Sequence, residues 1–115
     1  MVRALPLLVL LCFVGCSKGP EADLPAIGKA RSLGAEWAMI NELAAQGKLT
    51  SVYAETMRQE VRRQLQTTAK SLKRPDSEYG LQIAALLAQP DDAPPAELRS
   101  HAGKLRQIEN SLESD

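Results

Sequence analysis

Apolar residues recur at intervals of three and four positions between residues 26 and 73. This spacing places them on one side of an α-helix, which completes a turn about every 3.6 residues. Alanine and leucine are abundant, β-branched residues are few, and aromatic residues make up only 3% of the chain. Because this composition favours helices over strands, we predict an all-α fold: a small helical bundle built on a long antiparallel hairpin, with two shorter helices.

The hairpin is expected to span residues 26–73, with helices over residues 26–46 and 51–73. Gly47 suits the left-handed position that commonly ends a helix, and Thr50 or Ser51 is expected to cap the second helix. The connection is so short that the two helices are expected to run antiparallel. Gly34 should allow close approach of a neighbour. The predicted core-facing residues are Ile27, Ala30, Leu33, Trp37, Ile40 and Ala44, then Tyr53, Met57, Val61, Leu65, Ala69 and Leu72.

Prolines divide the remainder of the chain, since proline is tolerated in the first turn of a helix but not in its interior. Pro75 ends the hairpin, and Asp76 or Ser77 is expected to cap a short helix reaching residue 88. A last helix should begin near Pro95. Its apolar seam consists of Leu98, Ala102, Leu105, Ile108 and Leu112. Such a seam either completes the bundle or pairs with a helix of a partner protein.

The first fifteen residues have the layout of a secretory signal peptide. Arg3 precedes an apolar run over residues 4–14, which is too short to span a bilayer because a span needs about 20 residues. Cleavage after Gly15 would remove Cys12 and leave Cys16 as the single cysteine of the mature chain. A single cysteine excludes an internal disulfide, and one committed to a lipid leaves no thiol for catalysis or metal binding.

The run Phe13-Val14-Gly15-Cys16 resembles the lipobox of bacterial lipoproteins, with Phe13 where leucine is usual. The resemblance implies cleavage between Gly15 and Cys16, and attachment of a diacylglycerol to the Cys16 sulfur. Ser17 resembles the residue that follows the cysteine in lipoproteins taking the default outer-membrane route of Gram-negative bacteria. We therefore expect the protein on the periplasmic face of the outer membrane, with residues 16–25 as a flexible tether and residues 26–115 as one helical domain. The alternative is an ordinary secretory leader in which Cys16 is incidental.

Candidate catalytic and ligand-binding residues are few. The 14 basic side chains balance the 14 acidic ones, so the strong positive bias of nucleic-acid-binding proteins is missing. His101 is the only histidine and lies one helical turn from Glu97; we interpret it as a boundary residue rather than a metal ligand or catalytic base. Asp91 and Asp92 are interpreted as a turn and a capping charge rather than a cation site. We expect no metal and no cofactor.

Two further groups of residues allow either a structural or a binding role. Lys70, Lys73 and Arg74 either complement the negative end of the second helix or contact anionic lipid headgroups or a cell-wall polymer. Trp37, Tyr53 and Met57 are interpreted as core between the first two helices, with a ligand groove as the alternative.

These observations lead to two hypotheses for function. The first is a non-enzymatic envelope lipoprotein, held to the membrane by a lipid on Cys16, that presents a helical module to a protein partner in the envelope. The second is a carrier of a small molecule or lipid, whose pocket between helices would be lined by Trp37, Tyr53 and Met57.

Overall fold

The computed structural model describes residues 20–114, and every regular element in that range is helical. A short 3₁₀ turn, Pro20–Asp23, leads into four α-helices. These are α1 (Leu24–Ala45), α2 (Ser51–Lys70), α3 (Glu78–Leu87) and α4 (Pro95–Ser114). The predicted all-α bundle is confirmed. None of the described helices is long and apolar enough to cross a bilayer.

Local sequence signals place the connection between α1 and α2 and the starts of α3 and α4 where they were expected, whereas α2 ends at Lys70, three residues before the predicted end. Gly47 adopts φ 71° and follows the end of α1, and the Thr50 hydroxyl accepts a hydrogen bond of 3.1 Å from the backbone N–H of Tyr53. Ser77 caps α3 in the same way, accepting from the N–H of Gly80. Pro95 is the first residue of α4. These caps satisfy backbone donors that would otherwise lack partners at the helix ends, so α1 and α2 form the predicted hairpin.

Helix α1 lies at the centre of the bundle and packs most extensively against α4, then against α2. Two ion pairs show that α1 and α4 run antiparallel: Arg31 with Glu109 at 2.8 Å, and Arg99 with Glu42 at 2.5 Å. The last helix is longer than predicted. It has 20 residues, as many as α2, so that only the 10-residue α3 is short.

The apolar seam of α4 faces the inside of the bundle. Leu98, Ala102 and Leu105 are buried, and Ile108 and Leu112 are partly buried against the same core. Leu98, Ala102 and Leu105 therefore help to complete the bundle, the first of the two alternatives, whereas Ile108 and Leu112 also line a surface cleft between α3 and α4.

The core-facing stripe of α2 is shifted by one position at its start. Tyr53 was expected in the core but is 55% exposed, whereas the neighbouring Ala54 is buried. From Ala54 the stripe continues through Met57, Val61 and Leu65, which are again three or four residues apart. The physical reason is that either residue fits helical spacing, and the small alanine lets the start of α2 lie close to α1.

Two glycines lie where other parts of the chain approach closely. A methyl group on Gly34 would lie 3.1 Å from a methyl carbon of Leu86, which confirms the expected close approach of another helix. A methyl group on Gly80 would overlap the backbone of Pro75, lying only 2.6 Å from its carbonyl carbon. Because backbone atoms cannot move aside as a flexible side chain can, glycine is needed at position 80 for α3 to fold back against the preceding loop.

The folded unit begins earlier than predicted. Residues 20–25 were assigned to a flexible tether, but they form the 3₁₀ turn and the start of α1, with Pro25 in the first turn of that helix. Asp23 is 2% exposed, and its side chain bonds to the loop that follows α2. This contact holds the segment against the hairpin. The predicted signal peptide, Cys16 and the rest of the tether lie outside the described residues.

Candidate functional site

A buried carboxylate organises the end of the bundle at which the described chain begins. One oxygen of Asp23 accepts a hydrogen bond of 2.8 Å from the backbone N–H of Lys73. The other oxygen accepts from the N–H of Arg74 at 3.0 Å and from the Tyr79 hydroxyl at 2.6 Å. We call these residues (Asp23, Lys73, Arg74 and Tyr79) the Asp23 cluster. It joins the start of α1 to the loop after α2 and to the first turn of α3.

The Asp23 cluster favours an ionised carboxylate. Burial alone would raise the pKa of Asp23, but the hydrogen bonds from Lys73, Tyr79 and Arg74 outweigh it, aided by the Lys73 charge, and the pKa falls below its ordinary value. Tyr79 shifts the other way: burial and its bond to the Asp23 carboxylate raise the pKa of the phenol. A neutral phenol donating to an ionised carboxylate is a strong, charge-assisted hydrogen bond.

Sequence reasoning missed the Asp23 cluster because its partners are 50 or more positions away along the chain. One local signal was present. Asp23 immediately precedes α1, the position at which an aspartate ordinarily caps a helix. Its side chain makes no capping bond to α1 and bonds to the loop after α2 instead.

Four exposed basic side chains belong to this part of the chain: Lys29 on α1, Lys70 at the end of α2, and Lys73 and Arg74 in the loop that follows. Among the described residues none of the four forms an ion pair. The acidic Asp76 and Glu78 follow on the α3 side. We call the end that contains residues 20–29 and 66–80 the proximal end, because it is the end nearest to Cys16 in the chain.

A surface cleft of about 310 Å³ opens at the proximal end between the start of α1 and the end of α2. Lys29 contributes its only basic side chain, and Thr67, Thr68 and Ser71 contribute hydroxyl groups. Each of these hydroxyls donates its hydrogen to a backbone carbonyl of α2. They have no hydrogen left to donate to a bound anion, and the carboxylate of Asp23, which lines the same cleft, opposes the charge of Lys29.

A second polar cluster fastens the loop between α3 and α4 to the hairpin. The Asn41 amide donates to the carbonyl oxygens of Asp91 and Ala93, at 3.0 and 2.8 Å. The Trp37 indole N–H donates to the same Asp91 oxygen at 3.0 Å, and Arg58 donates to the Asn41 oxygen at 2.6 Å. Every buried side-chain nitrogen and oxygen in the described range has a hydrogen-bond partner, so this cluster is fully satisfied.

Arg62 also belongs to this second cluster, since its guanidinium closes the end of α3. It donates at 3.0 Å to the carbonyl oxygen of Leu87, which α3 leaves without a partner, and at 2.8 Å to that of Gln89 in the following loop. The guanidinium also lies 5.1 Å from the centre of the Trp37 ring, within the range of a cation–π interaction. The Asp91 carboxylate lies 3.4 Å from the same side chain.

The candidate metal ligands are not gathered into one site. Asp91 faces Arg62, Asp92 is exposed, and no group of three or more potential metal ligands occurs in the described range. The ring nitrogens of His101 face the amide groups of Gln82 and Gln89. His101 thus joins α3, the following loop and α4, while Glu97 takes no part.

The ligand pocket of the carrier hypothesis is not formed by its three proposed residues. Trp37 is fully buried in the core, with its indole N–H bonded to Asp91. Met57 packs partly buried against the same core, and Tyr53 is exposed on α2. A different cleft of about 310 Å³ lies between α3 and α4, lined by Glu78, Gln82, Lys104, Gln107, Ile108, Ser111 and Leu112.

The chain was also compared with known proteins. No protein-family model, no characterised protein and no solved structure matches it.

Proposed function

We propose that this protein is a lipid-anchored envelope lipoprotein whose helical bundle is a non-enzymatic module for binding a protein partner. The lipid on Cys16 holds it to the membrane, and Ser17 directs it to the periplasmic face of the outer membrane in a Gram-negative host. The observation that carries this proposal is the run Phe13-Val14-Gly15-Cys16 at the end of a short apolar leader.

The position of the folded unit supports the anchoring part of the proposal. The first described helical turn begins at Pro20, only four positions after Cys16. A lipoprotein cut before Cys16 would therefore present its bundle directly beside the lipid. Anchoring by two or more acyl chains is stable without a transmembrane helix.

The chemistry of the described side chains supports the non-enzymatic part. The polar groups that a catalytic site would need are engaged in holding helices together: Asp23 and Tyr79 with each other, Asn41 with two backbone carbonyls, and His101 with two glutamines. A catalytic acid or base instead needs an oriented partner and access to substrate. This arrangement favours a protein whose role is to present a surface.

Membrane fractionation of cells that express the wild-type chain or Cys16→Ser tests the anchor. We expect the wild type in the membrane fraction, resistant to high salt, and the Cys16→Ser protein released or retained only as an uncleaved precursor. Cys12→Ser is the matched control, because Cys12 lies in the leader, and it should leave fractionation unchanged. Mature Cys16→Ser protein that remains in the membrane would refute the anchor.

Photo-crosslinking in cells tests the interaction module. A crosslinking residue replaces Leu81, which is 63% exposed on α3, or Gln107 in the cleft between α3 and α4. Ser32, exposed on α1, is the control position. A specific adduct with one envelope protein at the α3–α4 positions supports the proposal. No adduct at any exposed position, together with turnover of a substrate by the purified protein, would overturn it.

A further inference from the structure

We propose that the bundle rests on the membrane through the basic side of its proximal end, with Lys29, Lys70, Lys73 and Arg74 against anionic phospholipid headgroups. The bilayer concerned is the one that holds the lipid on Cys16, so the inference rests on the proposed function. It concerns how the anchored protein is oriented and which lipid chemistry it contacts.

The short length of chain between the lipid on Cys16 and the bundle is the first argument. A fully extended chain spans at most about 3.6 Å per residue, so Cys16 lies within roughly 14 Å of Pro20. Helix α1 has 22 residues, and at about 1.5 Å per residue its far end lies roughly 33 Å beyond. The proximal end is thus confined near the headgroups, whereas the hairpin connection is not.

The Asp23 cluster carries the second step. Asp23 lies three positions after Pro20 and binds the backbone N–H groups of Lys73 and Arg74 at 2.8 and 3.0 Å. These bonds fix the two basic residues to the very segment that leads to Cys16. Residues that are remote in sequence thereby emerge at the point where the anchor enters the bundle.

The distribution of charge decides which side faces the lipid. Lys29 on α1, Lys70 on α2 and the two basic loop residues are all exposed. Among the acids whose exposure the structure describes, Asp76 lies in the loop before α3, Glu78 begins α3, and Glu113 lies near the end of α4. A negatively charged surface attracts the first group and repels the second, so the bundle should lean on its α1–α2 side.

Screening by salt restricts the attraction between basic side chains and anionic headgroups to the proximal end. The Debye length is about 8 Å at physiological ionic strength, so only charges held near the surface experience its potential. Tethering raises the effective concentration of the basic residues at the headgroups, which allows a few charges to matter. The hydroxyls of the proximal cleft are occupied within α2, so the expected contact is electrostatic and spread over several headgroups.

The test measures orientation in the acylated protein purified from membranes. An introduced cysteine would be the only free thiol of the mature chain, and it carries a fluorophore at either Gln66→Cys or Val52→Cys. Both positions are exposed on α2 and, being 14 residues apart, lie on the same face about 21 Å from each other. Quenching by nitroxide-headgroup lipids is compared in vesicles of phosphatidylcholine with and without phosphatidylglycerol.

We expect stronger quenching at position 66 than at position 52 in the anionic vesicles, and a smaller difference in the zwitterionic ones. Neutralising Lys70, Lys73 and Arg74 together as glutamines should reduce the docked population by roughly fivefold per charge, and the difference should shrink to the zwitterionic value. Lys48→Gln, near the hairpin connection, is the matched control and should change nothing. Circular dichroism checks that the variants retain their helices.

Other outcomes overturn the inference in distinguishable ways. Acylated protein with the same quenching pattern in both kinds of vesicle refutes the orientation and leaves the anchor intact. A difference that appears only when cell-wall polymer is added assigns the basic side to that polymer instead. Purified protein whose mass lacks the lipid refutes the anchor and the orientation together.

Discussion

Replacing Asp23 with asparagine tests whether one buried carboxylate holds the proximal end together. Asparagine has the same shape but keeps only one acceptor oxygen. That oxygen can still accept from the Lys73 N–H, and the Tyr79 hydroxyl can rotate to accept from the new amide. The Arg74 N–H, which now bonds to the second oxygen at 3.0 Å, would face another donor.

The expected loss follows from the bonds that are changed. Hydrogen bonds to a charged group contribute about 1.5–3 kcal/mol, and a buried donor left unsatisfied costs about 1–3 kcal/mol. We expect Asp23→Asn to lower the free energy of unfolding by about 2–4 kcal/mol, a large share of the 5–15 kcal/mol typical of whole domains. Urea denaturation of residues 16–115 carrying Cys16→Ser measures this at neutral pH, with the fluorescence of the buried Trp37 as signal.

The effect of Asp23→Asn on the free energy of unfolding should depend on pH. The folded pKa of Asp23 lies below its ordinary value of 3.8, so ionised Asp23 stabilises the fold above about pH 4 and this contribution is lost as pH falls through the folded pKa. The difference between wild type and Asp23→Asn should therefore shrink in acid. Asp92→Asn, at an exposed position, is the control and should stay within about 0.5 kcal/mol. An Asp23→Asn loss below about 0.5 kcal/mol would refute the reasoning.

Three further predictions concern other contacts of the bundle. Gly80→Ala should destabilise the fold by about 3 kcal/mol or more, because the new methyl group would overlap backbone atoms. Gly103→Ala, in open space within α4, should stabilise the fold by about 0.5–1 kcal/mol. Equal changes in the thermal midpoints of the two variants would contradict this. Asn41→Ala should cost about 2–4 kcal/mol in urea denaturation and raise amide hydrogen exchange in residues 88–94, whereas the exposed Asn110→Ala should do neither. Burial and the bond to Asp23 raise the pKa of Tyr79 above its ordinary 10.0. The stabilisation by neutral Tyr79 should therefore be present below pH 10 and lost as pH rises through the folded pKa. Alkaline unfolding curves of the wild type that match those of Tyr79→Phe would contradict this.

The sequence predicted the features that neighbouring residues decide. Gly47, Thr50 and Ser77 act on backbone groups a few positions away, so their roles follow from their residue types. Helical periodicity likewise predicted the core-facing residues of α1 correctly. The apolar stripe of this helix is wide, and the large apolar Trp37 lies at its centre. The first core-facing residue of α2 was misplaced by one position, since Tyr53 and Ala54 both satisfy the helical spacing.

The features that the sequence did not predict depend on contacts between distant parts of the chain. Nothing near Asp23 indicates that its carboxylate bonds to residues 73, 74 and 79, and the surrounding prolines, glycine and charges indicated a tether. The packing of α4 against α1 could not be predicted, because an apolar seam looks the same whether its partner is in the chain or outside it. The candidate membrane-facing residues were predicted only in part: the sequence indicated Lys70, Lys73 and Arg74, and the fold added Lys29 and the bonds from Asp23 to the backbone of Lys73 and Arg74.

The intact mass of the protein extracted from membranes tests the central claim most directly. We expect a chain that begins at Cys16 and carries a diacylglycerol on the Cys16 sulfur, with or without a third acyl chain on the new N-terminus. A mass that corresponds to residues 16–115 without any lipid, or to a chain that retains the leader and an unmodified Cys16, would contradict the account.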